Sequence, residues 1–331
     1  VGIEGLKWRM LASPDSGDRP QKNRAMFFLK LTVTVAAIAF IFSRQPIDEL
    51  LAAVRSLSPW AFLMATLLQY VAIAVGTLRW SILMRAYGAT HIPPFRQQMK
   101  VYLVGYFYNT YVPGAVGGDL MRGVVTRRAF GDRGATGAMS VVLVERALGL
   151  AGMFGLTGIA VAVFAGERFG DLLPYSVLGL VVVALSVTAL AQGRHLARFF
   201  PEPIKGILGS LPALVGYGSF CISALLSLCT HSVVAIIGHV LVSSIKSDVP
   251  WSDSFVAMPL AAAAGFFPLT VAGAGARDIV LINLYEVLGV PRAAGTATAL
   301  AFLCSTLLAA GAGGIIQLIA PLESPERSTQ S

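Results

Sequence analysis

Residues 112–128 read VPGAVGGDLMRGVVTRR, a stretch that gathers Pro113, Gly114, Gly117, Gly118, Asp119 and Arg122 between two strongly apolar flanks. Proline removes a backbone donor and glycine admits dihedrals that other residues avoid, so the stretch predicts a broken helix with unpaired N–H and C=O groups. In hydrocarbon such groups are tolerated only where protein buries them or a wet cavity solvates them. If the chain lives in a membrane, a cavity is therefore expected here.

Composition meets that condition. Of 331 residues, 56% are hydrophobic and 13% charged, with a mean hydropathy of +0.72; an ordinary soluble domain carries about 25% charged residues. Apolar runs fall at 25–42, 59–84, 99–116, 136–165, 172–192, 212–242, 254–272 and 293–320, with a semi-polar, glycine-bearing segment at 273–290. Several approach the ~20 residues a membrane helix needs. The alternation of a lipid-facing barrel strand is absent. The expected fold is all-α: a polytopic integral membrane protein of about six to eight membrane segments. Its parts are a basic tail at 1–24, one transmembrane domain at 25–320 and a short tail at 321–331. No small-residue cleavage motif follows the first run, where SRQPIDEL comes next, so that run reads as a retained span. The formal charge of +8 collects between the runs, which points to topology and anionic lipid rather than nucleic acid.

Orientation follows from the placement of Lys and Arg. The N-terminal tail is basic and is expected in the cytoplasm, which puts Arg85, Arg96 and Lys100 inside as well. Were 99–116 to cross, Arg122, Arg127, Arg128 and Arg133 would lie outside, against the rule. A re-entrant hairpin at 101–118 keeps them inside. The stretch FFPLTVAGAGARDIV poses the same problem at 266–280, and an offset of 155 residues aligns Pro113 with Pro268, Val116 with Val271, Gly118 with Gly273 and Arg122 with Arg277. Two span–hairpin–span units result, with repeat halves at approximately 59–165 and 212–320, the second hairpin at 266–290 opening from the opposite side. That is the inverted repeat of many secondary transporters. The alternative is eight plain spans whose glycines only allow close helix packing.

The charged residues inside this frame are few. Asp119 near a helix start either caps it or works with Arg122, three positions on and on the same face. Glu145 and Arg146 lie about ten residues into a span, where a charge costs ~2.5–3.5 kcal/mol and so must face protein or water. Neighbouring helix positions diverge, so each needs its own partner: Arg79 or Arg122 for Glu145, Asp119 or Asp278 for Arg146. Arg79 and Lys30 also sit near span ends, where snorkelling is the simpler reading. After the second break, Gly273 and Gly275 precede Arg277 and Asp278, with Glu286 further on. Guanidinium groups bind phosphate oxygens in pairs, so Arg122 and Arg277 form a candidate phosphate relay from opposite leaflets. Asn109 and Tyr108 precede the first break as candidate polar contacts or ordinary packing. His231 and His239 lack nearby metal-ligand spacing and read as satisfied core histidines, and Cys221, Cys229 and Cys304 as inert packing thiols. No metal or cofactor is expected. No Walker motif and no nucleophile–base constellation is present, so an enzyme is not expected; a membrane-embedded transferase would need Asp119 or Glu145 as its carboxylate.

The motifs YNTYVPGAVGGDLMRGVVTRR, VVLVERALGL and FFPLTVAGAGARDIVLINLYEVLGV, in this order, resemble the membrane region of the lysylphosphatidylglycerol synthase/flippase family over roughly residues 25–320. In that family the membrane region is associated with moving lipid between leaflets, and an attached cytoplasmic domain makes the aminoacylated lipid. This sequence carries no such domain, so the resemblance implies the translocation half. It maps the family's first break onto Pro113, Gly117, Gly118, Asp119 and Arg122, its charged motif onto Glu145 and Arg146, and its second break onto Gly273, Gly275 and Arg277. Where an Arg-Glu pair is common after the second break, this sequence has Arg277-Asp278. The implied activity is flippase-like transport, in a bacterial inner membrane with the N-terminus cytoplasmic, of a lipid with an anionic or zwitterionic headgroup: a phospholipid, aminoacyl-lipid, hopanoid or lipid-linked sugar. The alternative is a lipid-binding scaffold for a biosynthetic enzyme partner.

Overall fold

The computed structural model describes residues 46–111, 117–164, 169–192, 213–266 and 275–322, with isolated positions in 32–43 and 197–206. Pro113, Gly114, Pro268, Gly273 and Lys30, the N-terminal tail and residues 323–331 lie outside the described residues. Among those described, ten α-helices and no strand occur: α1 (Ile47–Ser56), α2 (Pro59–Ala86), α3 (Phe95–Tyr111), α4 (Gly117–Val125), α5 (Gly134–Val163), α6 (Leu173–Ala191), α7 (Tyr217–Ile245), α8 (Trp251–Phe266), α9 (Ala276–Val287) and α10 (Arg292–Ile319). Five of them, α2, α5, α6, α7 and α10, are long and apolar enough to cross a membrane. The protein is a polytopic, all-helical membrane protein.

The centre of the molecule is the antiparallel pair α2 and α7. The N–H groups of Val215 and Gly216, just before α7, donate to the Ala86 carbonyl at the end of α2, at 2.9 and 3.1 Å. Further along, Ser223 Oγ donates to the Arg79 carbonyl at 3.2 Å. Around this pair four packing contacts have a counterpart: α3 with α4 and α8 with α9, α4 with α5 and α9 with α10, α3 with α10 and α8 with α5, α2 with α10 and α7 with α5.

The four shorter helices form two helical hairpins. A helix rises about 1.5 Å per residue, so α4, with 9 residues, and α9, with 12, fall well short of a ~30 Å hydrocarbon core. The first hairpin begins and finishes at one end of the bundle. There Thr90 donates to the carbonyl of Ala129, beyond α4, and Ala89, Ile92, Ala129, Phe130 and Leu322 share one apolar cluster. The second begins and finishes at the other end, where Val249 before α8 packs with Val290 after α9. The first end carries Arg85, Arg96, Lys100, Arg127, Arg128, Arg133, Arg198 and Lys205 against Asp132 and Glu202. The other carries Asp48, Glu49, Asp171, Asp248, Asp253 and Glu286 against Arg55, Lys246 and Arg292.

Two boundaries depart from the sequence reading. The first hairpin runs from Phe95 to Val125 rather than over 101–118, because Pro93 and Pro94 end the preceding loop and α3 starts directly after them. The second begins at Trp251, not at 266: the run 254–272 reads as apolar and span-like, but α8 stops after 16 residues at Phe266 and forms the hairpin's entering arm.

Candidate functional site

The two arms of the first hairpin meet at Gly105 and Gly118. A Cβ on Gly118 would collide with the Gly105 carbonyl, so only glycine allows this approach. The contact brings the end of α3 over the start of α4. Asn109 Oδ1 accepts the Gly118 N–H at 2.9 Å, satisfying one orphan donor of the helix start, and Asn109 Nδ2 donates to Asp119 Oδ1 at 3.2 Å. Asn109 thereby fixes the carboxylate in the first turn.

From Asp119 a chain of alternating charges runs through the protein. Arg122 Nη2 pairs with Asp119 Oδ1 at 2.6 Å, and Arg122 Nη1 with Glu145 Oε2 at 2.7 Å. The second oxygen of Glu145 takes Arg79 Nη2 at 2.8 Å, and Arg79 Nη1 donates to Ser227 on α7 at 3.2 Å. At the other end, Arg146 Nε pairs with Asp119 Oδ2. Glu145 is 1% exposed. A carboxylate so buried persists because two guanidinium groups face it and Tyr102 adds a third donor at 3.1 Å. The rings of Tyr102 and Trp80 lie over Arg122, with centroids 4.6 and 5.4 Å from its guanidinium carbon. Arg122 is thus saturated by protein. Arg146 is the exposed member, its side chain 31% accessible, and its guanidinium lies 5.6 Å from the ring of Phe266, the last residue of α8 before the second break.

The second break is built differently. Gly275 holds φ +97°, a conformation that favours glycine, and its N–H donates to Asp278 Oδ2 at 3.0 Å, capping α9. Asp278 Oδ1 receives Arg277 Nε at 2.9 Å and Nη2 at 2.8 Å, and the Phe302 ring covers the guanidinium at 4.9 Å. Asp278 is spent on Arg277 and the cap. Arg146 instead pairs with Asp119, the other partner the sequence left open, and Glu145 takes both of its candidates. Tyr108 meets the Phe107 ring edge-on, and Glu286 pairs with Arg292 at 2.5 Å near the bundle end, away from the charge chain.

Three readings are corrected. Arg79 does not snorkel: it is buried, because a carboxylate inside the protein offers it a better partner than the distant interface. His231 and His239 are core residues but not satisfied, since both ring nitrogens of His231 and Nδ1 of His239 lack a hydrogen-bond partner among the described residues. Cys221, Cys229 and Cys304 face outward from α7 and α10 instead of packing the core, because the inward faces of those helices are taken by serine, threonine, alanine and histidine. Sequence reasoning missed Trp80, Tyr102 and Ser227. The spacing Ser219, Ser223, Ser227, His231, one turn apart along α7, is the signal that marks a polar face there.

These features define a class: multi-pass helical membrane proteins in which a buried ionic cluster ties a helical hairpin to the long helices α2 and α5. Within it, the model of the lysylphosphatidylglycerol synthase TM region matches residues 27–314, and the chain belongs to that family. No individually curated protein matches the chain. Lysylphosphatidylglycerol is a membrane lipid, so membership ties the protein to membrane-lipid handling.

Proposed function

We propose that the protein moves an amphipathic lipid with an anionic or zwitterionic headgroup between leaflets of a bacterial inner membrane, with the arginine-rich end cytoplasmic. In this reading α3–α4 and α8–α9 are re-entrant hairpins of an inverted repeat, open to opposite sides. The observation that carries it is the position of Arg146, paired with Asp119 of the first hairpin and stacked beside Phe266 of the second. The headgroup phosphate meets Arg146 there and competes with Asp119 for it. Arg122 and Arg277 shape the path on either side while the tails stay in lipid. The antiparallel α2–α7 pair and the matching contacts around it support the repeat, and the excess of arginine at one end supports the orientation.

Purified protein in liposomes with tail-labelled fluorescent phosphatidylglycerol tests this by quenching from outside. Wild type is expected to exchange the probe between leaflets. Arg146→Gln removes a charge-assisted contact of about 1.5–3 kcal/mol, roughly ten- to a hundredfold in rate. Exchange at the wild-type rate by Arg146→Gln rejects the assignment. A protein that co-purifies with a biosynthetic enzyme and never exchanges lipid is a scaffold instead.

A further inference from the structure

Helices α5 and α8 run antiparallel. At one end of their seam Arg146 lies beside Phe266; at the other, the acidic end of the bundle, the last turns of α5 meet the start of α8. There Leu156, Ile159, Ala160 and Val163, which share one face of α5, line a groove of about 390 Å³ together with Phe164, Trp251 and Phe255. Glycine placement explains why the seam opens. Gly152, Gly155 and Gly158 of α5 turn toward Ser227 and Leu228 of α7 and Leu180 of α6, so none of them draws α8 close. In the counterpart seam, α3 against α10, Gly313 and Gly314 lie so near the Leu103 carbonyl and the Phe107 ring that a Cβ on either would collide. That seam closes over its glycines, whereas α5 and α8 stay apart around the bulky Trp251 and Phe255.

The surroundings and shape of the groove identify its occupant. It continues the lipid-facing surface of a membrane span, for Ile159, Val163, Phe164 and Trp251 are all exposed along its rim. The described lining side chains are apolar or aromatic, and water enters a site only where it finds two to four polar partners. From Phe164 back to Leu156 the helix rises about 12 Å, which fits within the ~15 Å that one leaflet contributes to a ~30 Å hydrocarbon core. Trp251 stands at the mouth, its ring stacked on His239 with centroids 3.6 Å apart, and tryptophan is enriched at the level of lipid headgroups. We propose that this groove is a binding site for one acyl tail of a lipid in the leaflet at the acidic end, with the headgroup level with Trp251. A tail seated there touches protein on three sides, and the groove walls gain the neighbours that a gap would deny them. The seam runs on from Leu156 to Arg146, about 15 Å deeper along α5, so the tail seat and the headgroup contact lie on one helix pair. The seat requires only the membrane fold and stands whether or not lipid is exchanged.

The test titrates the full chain, purified in digitonin, with phosphatidylcholine brominated along its tails while tryptophan emission is read. Digitonin is a rigid steroid and offers the groove no linear tail. Trp251→Phe and Trp60→Phe separate the signals, and Trp60, 78% exposed at the start of α2, is the control that lines no part of the groove. The Trp251 component is expected to saturate at a single lipid per protein, while quenching of Trp60 keeps rising with the lipid content of the micelle. Ala160→Phe fills the groove and is expected to abolish the saturable component; should it fail to fold, Val163→Phe at the exposed rim replaces it with the same expected loss. Quenching of Trp251 that rises in step with Trp60, or a saturable component that survives the filled groove, overturns the tail site. Leaflet exchange of the same proteins in liposomes reads the transport function separately, so either conclusion can fail without the other.

Discussion

The two breaks present an arginine at the same relative place and neutralise it in opposite ways. Arg122 reaches out of its own hairpin to Glu145 on α5, and Glu145 extends the pairing to Arg79 on α2. Arg277 is satisfied at home, by its sequence neighbour Asp278 and the Phe302 ring. The reason lies in the partner helices. α5 carries Glu145 and Arg146 mid-span, whereas α10, its counterpart in the packing, has no charged residue after Arg292. The packing partners of the two hairpins correspond and their chemistry does not: one hairpin is clamped to the bundle by charge, the other is held by its cap and by apolar contact.

Breaking the clamp should therefore cost most. Glu145→Gln leaves two buried guanidinium groups short of a carboxylate and is expected to lower stability by about 3–5 kcal/mol, read as midpoint loss in thermal unfolding in detergent. Asp278→Asn, its closest analogue in the second hairpin, retains a capping oxygen and the aromatic cover. A loss of about 1–3 kcal/mol is expected, and equal losses for the two variants would erase the contrast between the hairpins. Backbone contacts sharpen it further. Gly118→Ala forces the arms of the first hairpin apart and should cost about 1–3 kcal/mol, while Gly295→Ala, whose Cβ meets ordinary contacts at 3.6 Å, should stay within about 0.5 kcal/mol. A modest effect belongs to Gln69, which donates to Ser305 at 3.2 Å and Thr306 at 3.1 Å across α2 and α10. Gln69→Leu removes hydrogen bonds between membrane helices that are worth about 0.6 kcal/mol each, detectable by the same unfolding assay.

Much of this was readable from residue order alone. Apolar runs located the five long helices, since a span must be continuous and apolar. The partners of Glu145 could be narrowed to Arg79 and Arg122 because a buried carboxylate needs a cation. Two things were not local and stayed hidden. The entering arm α8 has the composition of a span, and only its length and its packing against α9 make it half a hairpin. Tyr102 and Trp80 join the cluster by contacts across distant helices, which no periodicity within one helix encodes, and the spacing along α7 marks Ser227 only as part of a polar face, not its partner.

The most direct measurement is sidedness. With Cys221, Cys229 and Cys304 replaced by serine, single cysteines at Arg128 and Glu286 are labelled in intact cells with an impermeant maleimide and again after the inner membrane is opened. Two hairpins open to opposite sides require Glu286→Cys to react in intact cells and Arg128→Cys to react only after opening. Labelling of both from the same side would contradict the architecture on which the transport site depends.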